Sequence, residues 1–193
     1  MTPIATQDRR AHYDAFVTQV RDLCTTSGIR AALAQGRGRR IEQCTALHRY
    51  LTRPAHGYGA RRAHYTVASL IALEPHTHHH PPTAEPAGEA VEWRRRLNLG
   101  ATLATAVVRR PVSAQAFDNK LQLLARLSTD VLHPRLPGLA EQLLQAGCRP
   151  DWAVLLEDLS LWDIDRPAVV TRWMDSFYLA LPDDDRPHPD TED

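Results

Sequence analysis

The sequence predicts an all-α protein, and three observations carry that expectation. Apolar residues recur at spacings of three and four along most of the chain, which is the period of one helical face. Strand-type alternation is absent, and Ala, Leu, Arg and Gln dominate. With 193 residues, 43% of them hydrophobic, the chain can build a real core as one domain or as two small ones. A His- and Pro-rich stretch divides the helices and favours the second arrangement. The expectation is about nine helices in two small bundles packed together, over residues 1–74 and 94–181. A His/Pro-rich loop at 75–93 connects them, and 182–193 forms an acidic disordered tail.

Each element has its own signal. Residues 8–24 place Phe16, Val20 and Leu23 on one face, and Ser27–Gly36 turns Ile29, Ala32 and Leu33 inward. A helix over 40–51 carries Ile41, Cys44, Leu47 and Leu51, and one over 60–73 carries His64, Val67, Ala68 and Ile71. Asn98 caps a helix with Leu99, Leu103 and Val107, which Pro111 ends. Ser113 caps the next, with Phe117, Leu121, Leu124 and Leu127. Pro134 and Pro137 interrupt the following segment, so its helix is expected over Leu139, Leu143 and Leu144 up to a C′ glycine at Gly147. Asp151 caps a helix whose stripe is Trp152, Leu155, Leu156, Leu159 and Trp162, with Glu157 and Asp158 on its solvated face. Asp165 caps the last helix, with Pro167 in its first turn and Val169, Val170, Trp173 and Phe177 as its stripe, up to Pro182. The Trp and Phe residues, with Tyr178, read as core rather than as base-stacking platforms.

The formal net charge is zero, with 23 basic against 23 acidic residues, but it is unevenly spread. Residues 1–62 hold 11 arginines against 4 acids, a net +7, and 63–126 hold 7 basic against 5 acidic groups, a net +2. Residues 127–193 hold 5 arginines against 14 acids, a net −9. Such asymmetry points to nucleic-acid or acidic-surface binding at one side. Lys120 is the one lysine beside 22 arginines.

Several function classes fall away. No apolar run approaches the ~18 residues of a membrane span, and the first residues carry no apolar signal region. Three scattered cysteines without a CxxC support neither a disulfide framework nor a zinc knuckle, so a cytoplasmic location is expected. His76, His78, His79 and His80 lack companion ligands at helical spacing and read as a polar linker, so no metal and no cofactor are expected. No nucleophile elbow, zincin helix, P-loop or dinucleotide fingerprint is present, and no catalytic residue is assigned.

The basic clusters are the functional signal. Arg30, Arg37, Arg39 and Arg40 crowd a helix–loop–helix edge around Gly36 and Gly38, where they repel one another unless phosphate arrives. Arg61 and Arg62 open a helix against its dipole, which also invites an anionic ligand. Arg94, Arg95 and Arg96 form a third cluster, and Lys120 and Arg126 are isolated cations. These eleven are the candidate nucleic-acid contacts.

The ordered set of motifs resembles the CasB family, the small subunits of the type I-E CRISPR Cascade. The matching residues are Asp151–Trp152, Leu155–Leu156, Asp158–Leu159 and Trp162, then Trp173, Phe177 and Tyr178, preceded by GIRAAL at 28–33, the AHYTVASLIAL helix and Asn98–Gly100. The resemblance runs over about residues 13–178. It implies a non-enzymatic helical subunit of an antiviral ribonucleoprotein, present in more than one copy and touching backbone and large subunits. It further implies basic residues that support guide RNA–target DNA pairing and the displaced strand, with Arg30 and Lys120 its most direct matches. Guide pairing reads the sequence, so the protein need only offer positive surface. The alternative is a helical protein–protein adaptor whose basic edge docks an acidic partner.

Overall fold

The computed structural model describes residues 6–75, 92–109 and 113–182. Among them are eight α-helices and no strand: α1 (Thr6–Cys24), α2 (Ser27–Gln35), α3 (His48–Leu51), α4 (Arg61–Ile71), α5 (Leu99–Arg109), α6 (Ala114–Ala125), α7 (Thr129–Gln145) and α8 (Trp152–Ala180). The all-α expectation holds. The tail after Pro182, the His76–His80 cluster and the proposed stop at Pro111 lie outside the described residues.

Helix α8 organises the molecule by packing against α1, α4, α5 and α6. Buried residues from Tyr13 to Leu181 join in one hydrophobic cluster drawn from both halves of the chain. Trp152, Trp162, Trp173 and Phe177 are among its largest fully buried side chains, as the stripes predict. The caps also form where the sequence places them. The Asp151 carboxylate accepts from the Ala153 and Val154 amides at 3.1 Å, Asn98 from Ala101 at 3.0 Å, and Ser113 from Ala116 at 3.4 Å. Gly147 has φ +70 after α7, the left-handed C′ position. At Asp165 the backbone leaves helical space (φ −146, ψ 58), and its side chain accepts from the Ala168 amide, so α8 is two capped runs meeting at a kink.

Three expectations fail, each for a tertiary reason. Helix α7 does not wait for Leu139 but starts at Thr129 and runs through Pro134 and Pro137. Each proline removes a backbone hydrogen bond, yet burial of Leu132, Leu136, Leu139 and Leu143 on one stripe, at roughly 1.5–3 kcal/mol each, outweighs the loss. Residues 40–51 do not form one helix; two 3-10 turns (Ile41–Gln43 and Thr45–Leu47) meet at a non-helical Cys44 before α3. That segment folds down onto the end of α2, where a Cβ on Gly36 would lie 2.5 Å from Leu47 Cδ1. Glu157 and Asp158 are buried, not solvated. Glu157 accepts from Arg10 Nε at 2.8 Å and Trp93 Nε1 at 2.6 Å, while Asp158 accepts from Trp173 Nε1 at 2.6 Å and from Arg172.

Candidate nucleic-acid interface

Helix α7 gathers cations from separate parts of the chain. Positions 130, 134 and 141 recur on its outer face at helical spacing. The 36–40 loop lies along that face. Gly38, at φ +71, brings the backbone so close that a Cβ there would stand 3.3 Å from Pro134 Cα. From this loop, Arg37 Nη1 pairs with Glu141 Oε1 at 3.0 Å and Arg40 Nη2 with Asp130 Oδ2 at 3.4 Å. Arg62, from the first turn of α4, donates to the other oxygen of Asp130. On the next flank, Lys120 Nζ donates to Gln142 Oε1 at 2.5 Å. Arg135 stands exposed on α7 itself. Positions 130 to 142 span about 18 Å of helix, so five cations border a strip whose floor holds Pro134 and the side-chain-free Gly138.

The outer cations are open to solvent. The side chains of Arg37 and Arg40 are 50% and 62% exposed. Arg39 and Arg61 are exposed and make no ion pair among the described residues. Arg126 occupies the C-cap of α6, a position that favours a cation. The placement of Arg62 against its own helix dipole finds its compensation inside the fold: the Arg62 guanidinium, and then Arg40, hold the Asp130 carboxyl below the usual carboxylate range.

Other predicted contacts are committed elsewhere. Arg30 donates through Nε to Ala72 O at 3.0 Å and through Nη2 to Glu74 O at 2.6 Å, which satisfies carbonyls at the end of α4. Arg94 and Arg95 are exposed around a 3-10 turn (Trp93–Arg95), with Arg95 3.7 Å from Glu92. Arg96 grips two carboxylates, Asp14 at 2.8 and 2.9 Å and Asp151 at 2.7 and 2.9 Å, and lies 4.4 Å over the Trp93 ring. Arg96 therefore joins α1 to the cap of α8. Arg96→Ala is expected to cost about 1–2 kcal/mol of stability by removing two bidentate pairs and a cation–π contact, read as a lower midpoint in urea denaturation.

The structure thus brings Arg37, Arg40, Arg62 and Lys120 together around α7, with Arg39 in the same loop, and sets Arg30, Arg94, Arg95 and Arg96 on other surfaces. Sequence reading missed Arg135 on the exposed face and the two acids, Asp130 and Glu141, that pair with the tract. Their spacing of eleven residues, three helical turns, was the available signal. Among the described residues no group of three His, Cys, Asp or Glu side chains could hold a metal, and no helix is long and apolar enough to cross a membrane.

Residues 29–178 match the family described as CRISPR-associated protein Cse2. Among solved structures, a chain of a "CRISPR RNA-guided surveillance complex" is 30% identical at a TM-score of 0.75, covering 90% of this chain and 95% of that one. A chain of a "CRISPR RNA-guided surveillance complex, pre-nicking" is 31% identical at a TM-score of 0.76, covering 89% and 94%. No curated protein sequence matches.

Proposed function

The chain belongs to the Cse2 (CasB) family of type I-E CRISPR subunits, and from that premise we propose that it binds nucleic-acid phosphates along α7. In this role it stabilises a guide RNA–target DNA heteroduplex and the displaced strand within a surveillance ribonucleoprotein. The observation that carries the reading is the tract itself: Arg37, Arg40, Arg62 and Lys120 converge on α7 from three distant segments and join Arg135, which α7 itself carries. Arginine forks suit phosphate, and a contact that reads only backbone charge suits a complex in which base pairing supplies sequence recognition. Its partners would be guide RNA, target DNA, the backbone and large subunits, and another copy of itself, in the cytoplasm.

The role is binding rather than catalysis. The buried ionisable groups already have structural partners: His64 with Ala60 O and His12, His133 with Thr66, Asp118 with Tyr178 and Gln122, and Asp158 with Arg172 and Trp173.

The test is a change of Arg37, Arg39 and Arg40 together to Ala. Arg30 is left intact because it closes α4. Binding of a short single-stranded DNA is expected to weaken tenfold or more near 0.1 M salt. The slope of log K against log salt should become shallower by about 0.7 to 2, at roughly 0.7 per lost phosphate contact that releases a counterion. Circular dichroism should stay that of the unaltered chain. An unchanged slope sinks the proposal, as does co-purification of the tagged protein with other subunits but without RNA.

A further inference from the structure

The tract along α7 contains its own anions. Asp130 and Glu141 lie eleven residues apart on one face of the helix, about 16 Å along its axis. Between them they engage three of the arginines assigned above to phosphate: Arg40 and Arg62 at Asp130, and Arg37 at Glu141. A carboxylate offers a guanidinium the same planar pair of oxygens that a phosphodiester offers. Asp130 and Glu141 are about half exposed, as are Arg37 and Arg40, and exposed pairs of this kind exchange at little cost.

Resting on the reading that this tract meets nucleic acid, we infer that Asp130 and Glu141 are resident phosphate surrogates. In the free chain they hold Arg40, Arg62 and Arg37 in place, and they yield the two exposed ones, Arg40 and Arg37, to the phosphates of a bound strand. The exchange has a countable consequence. A phosphate neutralised by an arginine releases its condensed counterion, but the carboxylate left behind takes a cation up. Such a contact adds little to the salt dependence, so the slope of the unaltered chain understates its number of phosphate contacts. The residual acid also repels the strand, which lowers affinity at low salt.

The experiment compares the full chain with Asp130→Asn/Glu141→Gln, using a short single-stranded DNA across a range of salt concentrations. The double variant should bind about tenfold more tightly at low salt. Its log–log salt slope should steepen by about 1.4, at roughly 0.7 per acid removed. Asp22→Asn/Asp175→Asn makes the same change in net charge at exposed positions without ion pairs among the described residues, and its slope should stay that of the unaltered chain. Glu141→Gln alone should give about half the steepening and guards against misfolding of the double variant, since its pair is exposed on both sides. Equal steepening in the Asp22/Asp175 control, or weaker binding or an unchanged slope in the Asp130/Glu141 variants, overturns the inference. If the unaltered chain binds and the Arg37/Arg39/Arg40 variant does not, such a result leaves the phosphate-binding reading standing. Absence of binding by the unaltered chain overturns both.

Discussion

Gly100→Ala is expected to lower stability by about 3 kcal/mol or more, since a Cβ there meets the closest neighbour of any among the described glycines. Helix α5 approaches α8 with no side chain between them at this point. A Cβ on Gly100 would stand 1.8 Å from the Trp173 carbonyl oxygen, 2.7 Å from its carbon and 3.0 Å from its Cα. These are backbone atoms in the middle of a helix, so no rotamer change can make room. The helices must separate, and Trp173 moves with them. That ring is fully buried, lies 5.1 Å from Trp162 and donates its N–H to Asp158. Separation also loosens Leu103 and Ala104 on the same face of α5, and dispersion contacts fall steeply with distance. In a domain of this size the melting temperature should drop by about 6–12 °C. Gly138→Ala is the control, because nothing lies within 4 Å of a Cβ on that exposed helical residue; its melting temperature should not fall. A Gly100→Ala protein that melts with the unaltered chain would contradict the close approach.

Acid should destabilise the fold through two buried histidines. His64 and His133 are buried, and burial above all holds both imidazoles down to a pKa of about 4, with Arg62 adding to the effect at His133. Both are neutral in the fold, whereas an unfolded histidine takes up its proton below about pH 6.5. Their contribution is therefore complete above pH 6.5 and is lost as pH falls from 6.5 towards 4, by about 2 kcal/mol each at pH 5. Asp158 acts in the opposite sense. Burial raises it to about 6 despite Arg172 and Trp173, so its ionisation penalty is relieved as pH falls from 6 towards 4, returning about 1 kcal/mol by pH 5. From these three groups the fold should be about 2–3 kcal/mol weaker at pH 5 than at pH 7, measurable by urea denaturation at the two pH values. His133→Asn retains a polar atom for the Thr66 hydroxyl, which lies 2.6 Å from Nδ1. That variant should lose about 2 kcal/mol less than the unaltered chain over the same interval. An equal loss in both would remove His133 as a cause.

Residues that point into the core were legible, because their identity follows a period. The stripes of α1, α5, α6 and α8, and the caps at Asn98, Ser113, Asp151 and Asp165, need only local sequence. What failed depends on distant partners. The prolines of α7 look like breaks until the burial of Leu132 and Leu136 is known. Glu157 reads as solvated until Arg10, 147 residues away, and Trp93 meet it. The same limit applies to the site. Eleven cations look alike in sequence, and only the fold separates Arg30, spent on the carbonyls of Ala72 and Glu74, from Arg39, which faces solvent. Charge counting found the basic half but missed the acids paired with it, because Asp130 and Glu141 belong to the segment that is acidic on average.

The two margins of the His/Pro-rich stretch dock at neighbouring residues of α8 and the chain just before it. On the leading side, Glu74 Oε1 accepts from Trp152 Nε1 at 2.5 Å and lies 3.3 Å from Arg149. On the trailing side, Arg96 holds Asp151. The described segments that end at residue 75 and resume at residue 92 are therefore held at one place on the fold by Glu74 and Arg96. The entropy of closing a tether grows only with the logarithm of its length, about 0.6 kcal/mol for each doubling. With both anchors fixed on neighbouring residues, a change in the number of residues between 75 and 92 alters the closure entropy by only a fraction of a kcal/mol, so the length of that stretch is a weak lever on the stability of the rest.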